Sequence, residues 1–248
     1  MRNAWIIAQR ELGAMFASPI AYIFAAAMTL ITGVIFVFQL SDYILMSQFG
    51  QSGPPPTVGN ILGTFTFLLI FAMPAITMRL LSEEQRSGTI ELLMTLPVRD
   101  DEVVWGKFLA GFVFYLAVVA LTLIYPLILI RFGNPDLGPI VSSYLGVLLW
   151  GAGLLAIGVL ASALSENQIV AFMTAFGINL FLYLVAFFGR FVTTNSTVSL
   201  VLTELSFEGH LGNFLTGLIV ATDVLYYLLV TAVALFAAAR ILESRRWR

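Results

Sequence analysis

An all-α membrane protein with six spans is the fold class this sequence predicts, and three observations predict it. Of 248 residues 60% are hydrophobic and only 10% charged, with a mean hydropathy of +0.97, against about 25% charged residues in soluble domains. A soluble fold of this size would have to bury more apolar surface than its interior can hold, so the excess faces lipid. Six long, charge-poor stretches recur along the chain, and their alternation places ten of the twelve Lys and Arg residues on one side of the bilayer.

The first stretch of interest, residues 2–17, sets Trp5, Ala8, Leu12, Met15 and Phe16 at helical spacing, with Asn3, Gln9, Arg10 and Glu11 mostly off that face. This pattern predicts a helix lying in the headgroup plane. Ser18 and Pro19 form an N-cap and first-turn pair for the next helix. Residues 20–40 carry no formal charge, enough at about 1.5 Å per residue to cross a core of about 30 Å. With no cleavage pattern after it, this run reads as a retained span.

Residues 41–58 include Asp42, Gly50, Gly53 and Pro54 to Pro56, which predicts a loop with a stiff tip. The second span covers 60–81, kinked at Pro74, with Arg79 reaching toward the interface. The third covers 108–130, and RFGNPDLGP at 131–139 is dense in turn residues. The fourth covers 140–164. Its Ala152/Ala156 and Gly158/Ser162 pairs have the spacing that permits close helix approach. Ser165 to Gln168 link it to the fifth span, 169–188.

Residues 189–222 are too polar for a span, at Arg190, Asn195, Glu204, Glu208, His210 and Asn213, but too apolar for a bare loop. An interfacial or re-entrant helical element is expected. The last span covers 222–239. Asp223 lies about 25 Å from Arg240 along a helix, near the opposite interface, so a helix N-cap role is expected for it rather than that of an intramembrane ionisable site.

The even number of spans puts both termini on the side that holds Arg2, Arg10, Arg79, Arg86, Arg99, Lys107, Arg240, Arg245, Arg246 and Arg248, leaving only Arg131 and Arg190 opposite. The positive-inside rule assigns that side to the cytoplasm. The chain reads as one domain, 1–248.

Several chemistries are excluded by residue type. There is no Cys, hence no disulfide or thiolate site, and the single His210 has no companion at metal-ligand spacing. No nucleophile elbow or phosphate-cradling loop is present, and no basic, aromatic-interleaved patch suits nucleic acid. No catalytic residue and no cofactor is therefore expected on this chain.

One segment stands apart. Ser82 to Lys107, SEEQRSGTIELLMTLPVRDDEVVWGK, contains nine of the 26 charged residues between two hydrophobic spans. Ser87-Gly88 suits the end of a helix, Thr89 can cap a short new one with Glu91 near its positive end, and Pro97 stops it. Asp100 is expected to cap the helix that leads into the third span. Such a capped helix either rests on the bilayer surface or docks into a groove on a soluble partner, and the residues alone favour neither.

The same run, extended to Phe108, resembles the cytoplasmic signature of ABC-2 type permeases, an E-E-x-x-x-G-T-x-E-x-L-x-x-x-P-V pattern after the second span and a Gly-Lys opening the third. RELGAMFASPIAYIF near the start, YPLILIRFGNPDLGPI, SALSENQIVAF, and the terminal DVLYYLL and LESRRW extend the similarity along the chain, toward the gliding-motility-associated subfamily. The resemblance implies a bacterial inner-membrane permease subunit with both termini cytoplasmic. It would pair with a second permease, a copy or a paralogue, and bind separate ATP-binding subunits that carry ATP and magnesium. It also implies a coupling helix, and carries that role onto Glu83, Glu84, Gly88, Thr89, Glu91, Leu92 and Pro97, with Glu166, Asn167 and Gln168 as a second cytoplasmic link. Leu92, Leu93 and Met94 are the expected apolar anchors and the adjacent Glu residues a polar rim. An extracytoplasmic accessory protein is a further partner compatible with the family. Export is the leading expectation. The alternative is a membrane anchor of a motility or secretion machine that moves no substrate.

Overall fold

The computed structural model describes residues 2–50, 55–89, 98–133, 135–191 and 196–245. Among them there is no strand, and six helices or helix pairs are long and apolar enough to cross a membrane. The protein is a multi-pass membrane protein.

Helix α1 (Arg2–Ala17) packs along α5 (Asp100–Thr122) through the small residues Ala4 and Ala8, both buried. Trp5, expected on the same apolar face, points outward instead, and Phe16 is partly exposed with its ring edge on Phe114 at 5.6 Å. Ser18 then caps α2 (Pro19–Gln48), its Oγ accepting from the Ile20 amide at 3.4 Å. Residues 41–48, expected as loop, continue α2 for about 12 Å. No glycine or proline occurs between Gly33 and Gly50, so the intact hydrogen-bond ladder outweighs the local polarity of Ser41 and Asp42.

α3 (Val58–Thr77) contains Pro74 and ends in a turn over 78–81 that leads to the five-residue α4 (Ser82–Arg86). The helix expected to lead from Asp100 into the third span is present, but the span is broken near its far end. α5 starts at Asp100 and gives way at Leu123 to α6 (Ile124–Phe132). Pro126 has no N–H to donate to the Thr122 carbonyl, which accounts for the interruption. Asp100 is the first helical residue, not the cap. Arg99 occupies the cap position, and the Glu102 carboxylate, one turn in, accepts from the Arg99 amide at 3.3 Å.

α7 (Leu137–Leu164) is the axis of the bundle. Its most apolar window is 78% buried, against 22% for α2, because α3, α5, α8 (Gln168–Phe191) and α11 (Ala221–Arg245) all pack on it. The apolar core follows this axis. Trp150 lies among Tyr183, Phe207 and Tyr227, and the Tyr115 hydroxyl donates to the Val147 carbonyl at 2.6 Å. At Gly158 a β-carbon would overlap the Thr77 side chain, so glycine is what lets α3 approach. The partner of the Gly158/Ser162 pair is thus the end of α3 with the start of α4.

Residues 196–216 form a helical hairpin, α9 (Ser196–Glu204) and α10 (Phe207–Thr216). α9 lies along α8, and α10 inserts between α3, α7 and α8. Phe207 sits against Trp150 and Gly153, the latter about 24 Å along α7 from its first residue, whereas Phe214 is near that first residue, accepting at its carbonyl from Ser142 Oγ at 2.8 Å. The hairpin therefore re-enters the bundle instead of lying across its end. Gly217, at φ 104, closes α10.

Candidate functional site

The geometry places α1, α4, the start of α5, the connection 165–167 and the last turns of α11 at one end of the bundle. Arg240 Nη2 approaches Asp101 at 3.9 Å and Arg245 approaches Glu166 at 3.4 Å, so the C-terminal helix reaches the same end as α1 and α4. This basic end carries the candidate site.

Its centre is Lys107, whose side chain is only 1% exposed. The ammonium lies 3.4 Å from Glu11 Oε1 on α1 and 2.9 Å from Glu84 Oε2 on α4. The second contact is an ion pair without the alignment of a hydrogen bond. Arg10 closes the ring from outside, 2.7 Å from Glu11 and 3.1 Å from Glu84. Its hydrogen bond to Glu11 raises the Arg10 pKa above the ordinary value, with partial burial opposing. A charge as buried as that of Lys107 is tolerated only with such partners. Two carboxylates and two cations thereby join α1, α4 and α5. Asn3 adds a second tie, donating to Glu102 at 3.0 Å.

α4 is also fixed to the axis helix. Ser162 Oγ accepts from the amides of Leu81 and Ser82 at 2.9 and 3.0 Å and donates to the Met78 carbonyl at 3.1 Å. Gln85 Nε2 donates to the Ala163 carbonyl at 3.0 Å. These are the amides and carbonyls that the turn 78–81 leaves unmade, so one hydroxyl of α7 completes the end of the second span.

Of the residues expected to couple, Glu84 belongs to this ionic ring and faces Lys107. Glu83 faces outward. Gly88 has φ +71, the left-handed conformation that glycine adopts freely, and ends the stem after Ser87. Thr89 Oγ1 meets Ser87 Oγ at 2.9 Å. Glu91, Leu92, Leu93, Met94 and Pro97 lie outside the described residues. In the second link, Asn167 Oδ1 accepts from the Ile169 amide at 2.9 Å and caps α8, while Glu166 is exposed beside Arg245 and Gln168 opens α8.

A second polar cluster lies at the opposite end. Asp223, expected as an N-cap, is the third residue of α11 and points into the bundle, 4% exposed. Its Oδ1 is 2.7 Å from His210 Nδ1 and its Oδ2 accepts from Asn213 Nδ2 at 2.8 Å. His210 Nε2 faces the Glu204 carbonyl at 2.9 Å, and the ring stacks on Tyr226 at 4.0 Å. A carbonyl only accepts, so Nε2 carries hydrogen. Nδ1 faces the Asp223 carboxylate on the other side of the ring, so both ring nitrogens are engaged. The hairpin is fastened to α11 by this contact. In the sequence His210 has no companion at metal-ligand spacing, and the fold supplies Asp223 from another helix. The available signal was a buried-looking Asp and a lone His in one apolar region, since buried polar groups must pair.

Among the described residues no group of His, Cys, Asp and Glu is arranged to hold a metal. A comparison with curated proteins returns no match. A family model described as ABC-2 family transporter protein matches residues 5–245, covering α1 through α11. The chain belongs to the ABC-2 transporter family.

Proposed function

We propose that this chain is the transmembrane permease subunit of an ATP-driven exporter. It works with a second permease subunit and with separate chains that bind ATP and magnesium. The basic end faces the cytoplasm of a bacterial inner membrane, where the positive-inside rule puts it. Residues 89–97 are the docking element, with Leu92, Leu93 and Met94 as apolar anchors and Glu91 at their edge. Pro97 ends it, Gly88 and Thr89 begin it, and Glu166 and Gln168 offer a second contact beside it.

The observation that carries this reading is the stem. A docking element can transmit force only if its base cannot swing freely. Here α4 is held by Ser162 and Gln85 to α7 and by the Lys107 ring to α5 and α1. A displacement of α4 is thus passed to three other helices through short, buried contacts, which is the physical basis for coupling two distant states.

The test uses the full chain co-expressed with the ATP-binding chain that co-purifies with it. Leu92→Asp together with Leu93→Asp should abolish co-purification and the stimulation of ATP hydrolysis by the permease. Glu204→Gln with Glu208→Gln at the other end should leave docking intact. Retention of both activities in the double-Asp variant would overturn the assignment.

A further inference from the structure

Beside the stem a cavity of about 320 Å³ opens between the end of α1, the start of α2 and the end of α3. Its volume falls in the range of small-molecule sites. Met15, Phe24, Ile76 and Phe114 give it apolar walls, and Arg79 and Glu83 line it four residues apart across the turn that ends the second span. Glu11, also in the wall, is already committed to Arg10 and Lys107. Arg79 and Glu83 are different. Among the described residues neither side chain has an ion-pair partner, and both are exposed.

We propose that this cavity binds a phospholipid carrying a phosphate and a primary amine, the phosphoethanolamine headgroup, with one acyl chain between the apolar walls. The apolar part accounts for the tail. Position accounts for the lipid source, because α1 has the Trp5 and Phe16 side chains of a helix lying at a bilayer surface and the cavity opens where it meets the first span. The charges select the headgroup. Arg79 supplies a guanidinium that matches phosphate, and Glu83 supplies a carboxylate that accepts from a primary ammonium. A trimethylated amine has no hydrogen to donate, and a glycerol headgroup offers neutral hydroxyls but no positive charge to pair with Glu83. The proposal rests on the membrane placement of the chain and not on its coupling role.

Purified full-length chain in detergent is incubated with phosphatidylethanolamine, phosphatidylcholine or phosphatidylglycerol, and bound lipid is counted by native mass spectrometry. Water-soluble glycerophosphoethanolamine serves as the tail-less arm. One phosphatidylethanolamine should be retained preferentially, the tail-less compound should not bind, and Arg79→Gln should weaken retention about tenfold, the loss of one charge-assisted contact. Ala75→Trp, which fills the cavity from its wall, should abolish retention while helicity by circular dichroism stays unchanged. Retention that is indifferent to headgroup, equal in wild type and both variants, or absent from wild type overturns the proposal.

Discussion

At the basic end Lys107 is held between Glu11 and Glu84 while Arg10, its side chain 58% exposed, leans on the same two carboxylates. At the other end His210, Asp223 and Asn213 make one set of short contacts, with the His210 and Asp223 side chains both below 10% exposed. The first cluster is redundant. Either cation can shift while the other keeps both carboxylates company, and long side chains accommodate movement without breaking every contact. The second has no spare donor, and its stiff ring is also pinned by the Glu204 carbonyl and by Tyr226. The difference is one of tolerance to substitution: the basic cluster keeps a counter-ion for both carboxylates after one cation is lost, and the hairpin clamp does not.

Asp223→Ala is the strongest way to break this contrast. It leaves the buried His210 and the half-buried Asn213 without their acceptor, and removing one partner of a buried pair costs about 3–5 kcal/mol. Thermal unfolding in detergent should drop accordingly. Hydrogen exchange should rise first in residues 196–216, with α1 and α4 still protected. Lys107→Met tests the redundant end and should cost less, about 1.5–3 kcal/mol for a lost charge-assisted contact, because Arg10 remains to neutralise Glu11 and Glu84. Its exchange signature should appear in α1 and α4 and spare the hairpin. If Lys107→Met proved the costlier change, the redundancy argument would fail.

How much of this was legible in the sequence depends on how local the cause was. The spans came from uninterrupted apolar length, and Ser18-Pro19 declared the start of α2, because both effects act within a few residues. Residues 41–48 and 123 were misread since helix continuation there is decided by the presence or absence of a breaker one turn away, not by polarity. The site was legible as a segment but not as an assembly. Glu11 and Lys107 are separated by 96 positions and Ser162 from Leu81 by 81, and no periodicity links residues on different helices. Asp223 was the nearest miss. Its distance from Arg240 correctly put it at the far end of the last helix, but a first-turn acid can turn inward to a donor on another element as readily as it can cap.

The smallest effect sharpens the comparison at the candidate interface itself. Glu166 meets Arg245 at 3.4 Å with its side chain 69% exposed, and exposed pairs contribute about 0–1 kcal/mol. Glu166→Ala should therefore leave thermal unfolding nearly unchanged, in contrast to Lys107→Met only a helix end away. Asn167, which caps α8, is the internal reference. Asn167→Ala should destabilise by about 1 kcal/mol whatever docks there. If Glu166→Ala is silent in stability yet weakens co-purification with the ATP-binding chain, the exposed carboxylate serves the partner. If it is silent in both, the second link is a plain helix connection, and docking rests on residues 89–97 alone.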